Sequence, residues 1–146
     1  EDRDINIRRI GYVCDLLSRN GVVAIVAAIA PYRAGREENR KLIHNYVEIY
    51  VKASLDTLIK RDVKGHYKKA LAGEIKNFTG VSDPYEEPTD PEILIETENE
   101  TPEESTNKII LTLELLGHIP KIAGENDYSE DEEAKIKKRL EDLGYI

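Results

Sequence analysis

The stretch VVAIVAAIA, residues 22–30, is a continuous run of small apolar residues in an otherwise polar chain. A run of this kind is typical of a strand that is buried on both faces of a parallel sheet, and Pro31 predicts its end. Before it, apolar residues recur at helical spacing between positions 5 and 17, and Asn20-Gly21 predicts the end of that helix. The pattern therefore predicts a helix that is followed by a buried strand.

The same alternation continues along the chain. A polar helix is predicted for residues 35–44, a short strand for residues 46–51 (YVEIYV) and a last strand for residues 93–97 (ILIET). Thr101 followed by Pro102 has the form of a helix N-cap and a first helical residue, and this helix is expected to run to about position 116. Helices that alternate with strands indicate an α/β fold with a parallel sheet.

The composition excludes several classes of protein. The chain has 146 residues, the size of one domain, and its formal net charge of −8 argues against a general nucleic-acid binder. Its longest apolar run, residues 21–30, is too short to cross a membrane. The single cysteine, Cys14, precludes an internal disulfide and fits a cytoplasmic protein. The histidines lack metal-ligand spacing, so we expect no metal site.

Residues 62–91 interrupt the alternation and have the composition of a mobile loop or lid. Phe78, the only phenylalanine, and Tyr67 lie among several cations. Cations neutralise phosphate or sulfate oxygens and an aromatic ring stacks on a base, so the segment has the groups needed to close over a phosphorylated nucleotide. A solvated charged loop is the alternative, since runs of charge usually face water. The cations are Arg61, Lys64, Lys68, Lys69 and Lys76.

Four blocks of the sequence resemble the adenylylsulfate kinase family and occur in the family's order. The most specific is RDVKGHYKKALAGEIKNFTGVSDPYE, residues 61–86. The others are DRDINIRRIGYV (2–13), IVAAIAPYRAGRE (25–37) and YVEIYVKASLDTLIKRD (46–62). The resemblance covers residues 1–117. It implies a P-loop kinase-like, three-layer α/β fold and ATP-dependent phosphorylation of the 3′-hydroxyl of adenosine 5′-phosphosulfate, with Mg²⁺.

The resemblance also implies which residues bind the ligands. In the first helix, Arg3 would pair with an anionic group of the adenylylsulfate and Asn6 would hydrogen-bond to it, while Phe78 would stack on its adenine. The substrate-binding residues implied in this way are Arg3, Asn6, Ile29, Ala30, Lys64, Asn77 and Phe78. Those that match the region beside the ATP adenine are Arg61, Glu100 and Thr101.

The chain departs from the family's pattern in three respects. Ala30 replaces a frequent serine, Asn77 stands where glycine is usual, and no G-x-x-x-x-G-K-[ST] phosphate loop occurs in the sequence. The resemblance implies that the phosphate loop, the catalytic groups and the Mg²⁺ ligands belong upstream of Glu1. The alternative function is therefore a non-catalytic module that binds adenylylsulfate, and a third possibility is a piece that folds poorly. A homodimer and a fusion to a sulfurylase are the partners that the resemblance suggests.

Residues 118–146 differ in character from the kinase-like domain predicted for residues 1–117. We predict a linker and a C-terminal amphipathic helix that Ser129 caps. This tail is expected to pack on its own domain or on a partner subunit, or else to be the remnant of a fusion. Within the lid, Asp83 and Glu86 are expected to be solvated loop residues and not catalytic acids.

Overall fold

The computed structural model describes residues 2–121 and 129–146, and these form two compact units. The first unit is helical, and the second contains a pair of parallel strands. No helix in the described ranges is both long enough and apolar enough to cross a membrane. Among the described residues, the first unit comprises 2–46 and 55–88, and the second comprises 47–54, 89–121 and 129–146.

The first unit is built from helices and the loops that join them. The helices are α1 (Asp2–Arg19), α2 (Arg33–Leu42), α3 (Leu55–Lys60) and α4 (His66–Leu71). Helix α4 lies inside the predicted lid, so that segment is partly regular structure. Helix α2 begins two residues before the predicted start and ends two residues before the predicted end.

Helix α1 ends where its sequence predicts. The side-chain amide of Asn20 donates to the carbonyl of Leu16 at 2.8 Å. Gly21 has a φ of +75°, a conformation that glycine adopts without strain. The resulting turn lets the Val22 amide donate to the carbonyl of Leu17 at 3.1 Å. The prediction of a helix that stops at Asn20-Gly21 is confirmed.

Helix α2 packs against α1 at a glycine. Gly11 is buried in α1, and a Cβ atom there would lie 2.0 Å from the side-chain oxygen of Asn39 in α2. The Asn39 amide in turn donates to the carbonyl of Ile7 at 3.3 Å. A surface ion pair of 2.7 Å between Arg8 and Glu38 also joins the two helices. Because Gly11 has no side chain, the two helices approach closely at this point.

Residues 22–30 do not form the predicted strand. A strand exists only where a neighbouring strand exchanges backbone hydrogen bonds with it, and no described segment pairs with these residues. Val23 and Ile25 are 70% and 91% exposed, so the run is not buried either. The prediction from the apolar run was wrong because composition alone does not supply the partner strand.

The second unit is organised around strands β1 (Ile49–Lys52) and β2 (Ile93–Glu96). They pair in parallel, with Ile49 opposite Ile93, and both Ile93 and Ile95 are buried. Strand β1 starts three residues later than predicted, whereas β2 agrees with its prediction to within one residue. Parallel pairing between strands that helices separate in the sequence confirms the predicted α/β class.

Helix α5 (Pro102–Leu115) begins at the predicted cap. The Thr101 hydroxyl accepts a hydrogen bond from the Glu104 amide at 3.2 Å, and the Glu104 carboxylate accepts one from the Thr101 amide at 2.7 Å. This reciprocal pair is a capping box. The bond from the Thr101 backbone, followed by the one from its hydroxyl, lowers the pKa of Glu104 below its ordinary value.

Helix α6 (Glu130–Asp142) packs against α5, and Ser129 caps it as predicted by accepting from the Glu132 amide at 3.2 Å. Leu140 on this helix is 0% exposed. The tail therefore packs on its own chain. This is one of the arrangements expected from the sequence, the others being packing on a partner subunit and a remnant of a fusion. The linker predicted before it includes residues 122–128, which lie outside the described residues. The domain boundary at residue 117 stays a prediction.

Polar contacts fasten the same tail to the start of β2. The Arg139 guanidinium donates to the carbonyls of Pro91 and Glu92 at 3.0 and 3.1 Å. The Tyr145 hydroxyl donates to the carboxylate of Glu92, which is 2% exposed. The other carboxylate oxygen of Glu92 accepts from the Glu48 amide at 2.6 Å. One buried carboxylate thus connects the tail to the segment that leads into β1.

Candidate functional site

A tight turn in the first unit presents the phenylalanine that the sequence singled out. The carbonyl of Phe78 accepts hydrogen bonds from the amides of Val81, Ser82 and Asp83 at 3.0–3.1 Å. The Ser82 hydroxyl accepts from the Phe78 amide at 2.9 Å. Asn77, which enters the turn, has a φ of +54°. Glycine adopts this left-handed conformation without strain, and asparagine is among the few other residues that adopt it readily.

Arg3, in the first turn of α1, joins the two ends of this turn. Its guanidinium donates to the carbonyl of Asn77 and forms an ion pair with the carboxylate of Asp83. The Tyr32 hydroxyl donates to the same carboxylate oxygen at 2.7 Å. That hydrogen bond, assisted by burial, raises the pKa of Tyr32 above its ordinary value of 10.0. Asn6 is exposed three residues further along α1, on the side that carries Arg3.

The ring of Phe78 contacts helix α4. Its centroid lies 5.0 Å from that of Tyr67, with an interplanar angle of 75°, so the pair packs edge to face. Both side chains remain partly exposed. Burial, with a smaller effect from the Asp62 carboxylate, raises the pKa of Tyr67. The contact with Tyr67 therefore restricts the orientation of the Phe78 ring.

Lys64 is exposed in the turn that leads into α4. Asp62 holds this turn, because its carboxylate accepts from the amides of His66 and Lys68 at 2.9 and 3.0 Å. Burial acts to raise the pKa of Asp62, but the backbone hydrogen bonds from Lys68, Tyr67 and His66 lower it overall. The Lys64 ammonium group thus extends from a well-bonded turn.

Ile29 and Ala30 lie at the end of the apolar run. Ile29 is 69% exposed, and Ala30 has a φ of +40°, which strains a residue with a Cβ atom. Arg36, which is only 7% exposed, donates to the carbonyls of Ala30 and Glu86 at 2.6 Å each. The Glu86 amide donates to the carbonyl of Pro31 at 2.9 Å. These bonds tie the strained residue to the end of the predicted lid.

Two of the predicted substrate-binding residues have a strained backbone conformation. Among the described residues, Ala30 and Asn77 are the two non-glycine residues with a positive φ. Residues held in such conformations concentrate at functional sites, where the surrounding structure compensates for a cost of about 1–3 kcal/mol each. Both belong to the set of predicted substrate-binding residues.

The predicted substrate-binding residues all belong to the first unit. Direct contact brings Arg3 together with Asn77, and the chain continues from Asn77 into Phe78. Lys64 and the pair Ile29–Ala30 are held by separate networks. An open apolar groove of about 490 Å³ lies elsewhere in the same unit, between α1 and residues 23–26, and none of the predicted residues lines it.

The residues predicted to lie beside ATP divide between the units. Arg61 follows α3 in the first unit, whereas Glu100 and Thr101 belong to the second. Glu100 accepts a hydrogen bond of 2.5 Å from the ammonium group of Lys108. Burial acts to raise the pKa of Glu100, but the bond with Lys108 and its other partners lower it overall. With Thr101 capping α5, both residues have structural roles here, and their contact with ATP stays a prediction.

No metal centre is assigned to this chain. Within the described residues there is no group of three histidine, cysteine, aspartate or glutamate side chains close enough to hold an ion. The described part of the chain therefore offers no ligand set for Mg²⁺.

The structure connects four residues to the candidate site that the sequence did not single out as part of it. Asp83 was expected to be a solvated loop residue; this was wrong, because its side chain is 22% exposed and bound by Arg3 and Tyr32. Glu86 is exposed, as expected, and its carboxylate also accepts from the Arg33 amide at 2.7 Å. The remaining additions, Tyr32 and Arg36, belong to the motif PYRAGR that the family resemblance quotes.

Comparison with known proteins identifies the family. The sequence profile of the family described as Adenylylsulphate kinase matches residues 1–96. An adenylyl-sulfate kinase from Rippkaea orientalis is 59% identical over 121 residues, which are 83% of this chain and 67% of that protein. A probable bifunctional SAT/APS kinase from Sorangium cellulosum is 55% identical over 121 residues, 83% of this chain and 21% of that protein. The chain belongs to the adenylylsulphate kinase family.

A solved structure supports the same assignment. The APS kinase of Mycobacterium tuberculosis, solved in complex with AMPPNP and APS, superimposes with a TM-score of 0.69 at 34% identity. The match covers 75% of this chain and 65% of that one. The predicted P-loop kinase-like α/β fold is therefore confirmed. This chain spans about two thirds of the length of the single-function relatives and a fifth of the bifunctional one.

Proposed function

We propose that this chain supplies the substrate-binding part of an enzyme that transfers the γ-phosphoryl group of ATP to the 3′-hydroxyl of adenosine 5′-phosphosulfate. The observation that carries the proposal is the contact between Arg3 and the Asn77–Phe78 turn, 74 residues away in the sequence. It joins a cation suited to an anionic group with an aromatic ring suited to a base.

Each part of the proposed site has a chemical task. Arg3 pairs with a phosphate or sulfate oxygen, and Asn6 on the same side of the helix adds a neutral hydrogen bond. Phe78 stacks on the adenine while Tyr67 packs edge to face with it, and the exposed Lys64 supplies a second positive charge. Ile29 and Ala30 make an apolar contact with the adenylylsulfate. The phosphate loop and the catalytic base are assigned to no residue of this chain.

The family relationship supports the identity of both ligands. A structural relative was solved with AMPPNP and APS together, which supports ATP and adenylylsulfate as the two substrates here. The bifunctional relative supports the prediction that chains of this kind occur fused to a second activity. Mg²⁺, the homodimer, the sulfurylase as partner and the cytoplasmic location stay predictions.

The test uses the natural protein that contains this chain, with ATP and adenylylsulfate. The expected result is release of ADP and formation of a 3′-phosphorylated product. Phe78→Ala should raise the dissociation constant for adenylylsulfate by about 5- to 150-fold, because a lost base stack costs roughly 1–3 kcal/mol.

Tyr12→Ala is the matched control, since Tyr12 is an aromatic residue of the same unit that is 59% exposed and belongs to no predicted site. It should leave the dissociation constant unchanged. Absence of a 3′-phosphorylated product at saturating substrate would refute the kinase. Binding of adenylylsulfate without turnover would instead favour a non-catalytic binding module.

A further inference from the structure

The pair formed by Arg3 and Asp83 raises a question that the proposed function leaves open. The proposed function assigns Arg3 to an anionic group of the substrate, but Arg3 already forms an ion pair with the carboxylate of Asp83. The guanidinium has five N–H donors. One terminal nitrogen donates to Asp83 and the other to the carbonyl of Asn77, so these two contacts leave further N–H groups for a ligand.

Resting on the proposed function, we propose that Asp83 is a positioning residue for adenylylsulfate binding. Its carboxylate orients the Arg3 guanidinium and fixes it to the turn that carries Phe78. The distance between the Arg3 guanidinium and the Phe78 ring is thereby fixed before the substrate binds. Arg3 pairs with the anionic group, and Phe78 stacks on the base.

The surroundings of Asp83 suit this role. Its side chain is largely buried, and the Tyr32 hydroxyl donates to the same oxygen that Arg3 contacts, so the carboxylate is held from two sides. The backbone of Asp83 is held as well, because its amide donates to Phe78 and its carbonyl accepts from Gly80 at 2.8 Å. A long, flexible arginine side chain that is immobilised beforehand loses less freedom on binding.

Charge alone predicts the opposite effect of substitution. Removing a carboxylate beside Arg3 makes the site more positive, which by itself strengthens binding of an anion. If Asp83 acts by orientation, its removal weakens binding despite the gain in positive charge. The direction of the change therefore separates positioning from simple electrostatics.

A double-mutant cycle on the natural protein tests the proposal. Calorimetry would measure the dissociation constant for adenylylsulfate in Asp83→Ala, in Arg3→Ala and in the double variant. We expect Asp83→Ala to weaken binding by about tenfold, and to have no further effect once Arg3 is alanine. Asp83→Asn, which keeps a hydrogen-bond acceptor, should recover part of the loss. The affinity for an ATP analogue should stay unchanged in every variant.

Two results would overturn the positioning role of Asp83 but leave the proposed function standing. One is wild-type affinity or tighter binding in Asp83→Ala; the other is the same tenfold loss in the Arg3→Ala background, which would mean that Asp83 acts through the fold. If Asp83→Ala does not fold, Tyr32→Phe and Asp83→Asn carry the same cycle. A wild-type protein that binds no adenylylsulfate would refute the proposed function itself, and this proposal with it.

Discussion

Replacing Leu140 by alanine tests whether the C-terminal helix is an integral part of the second unit. Leu140 is 0% exposed and lies on α6, next to the arginine that binds the start of β2. The substitution removes three carbon atoms, which is about 2.4 kcal/mol of lost transfer free energy at roughly 0.8 kcal/mol per methylene. The cavity left behind adds to this, so we expect a total loss of about 2–5 kcal/mol.

The assay is urea-induced unfolding followed by circular dichroism. With a slope near 2 kcal/mol per M, a loss of about 3 kcal/mol lowers the unfolding midpoint by about 1.5 M. Lys138→Ala is the matched control, because this residue is exposed on the same helix and alanine preserves helix propensity. It should change the free energy of unfolding by less than about 0.5 kcal/mol. Equal midpoints for Leu140→Ala and the wild-type protein would show that α6 is not packed as described.

Two further predictions concern the turn and the acid range. Asn77→Ala should cost about 1 kcal/mol of unfolding free energy because its φ is +54°, whereas Asn77→Gly should stay within about 0.5 kcal/mol of wild type; equal stability of the two variants in urea would contradict the strain. The carboxylates of Glu38, Glu104 and Glu133 have pKa values lowered by their partners from an ordinary 4.5. The unfolded state therefore binds protons first, so the melting temperature should fall as the pH drops below about 4.5; a melting temperature that stays constant from pH 5 to pH 3 would contradict this.

Local signals predicted those parts of the fold whose causes are local. The caps at Thr101 and Ser129 depend on hydrogen bonds that span three residues, and both helices begin where these residues predict. The end of α1 at Asn20-Gly21 has a similarly local cause. In contrast, residues 22–30 have the composition of a buried strand, but a strand also requires a partner that composition does not reveal.

In the candidate site, too, features with local signals were predicted and those that depend on distant contacts were not. Phe78 was predicted from its place among cations and from the family resemblance, whereas Asn77 was predicted from the resemblance alone, as a replacement for glycine. The contribution of Asp83 was missed because its contacts with Arg3 and Tyr32 span 80 and 51 residues. An aspartate in a polar loop has the same sequence signature whether it faces water or an arginine, so only the fold distinguishes the two cases.

The long span of the contacts around Glu92 has a consequence for the order in which the chain folds during synthesis. Strand β1 emerges well before its partner, since the Glu48 amide meets the Glu92 carboxylate 44 residues later, and Glu92 meets Tyr145 after a further 53 residues. Until β2 has emerged, β1 is an unpaired edge, the kind of segment that a nascent chain exposes to chaperones or to wrong partners. We therefore expect pauses in translation between β1 and β2 to favour aggregation more than pauses after β2.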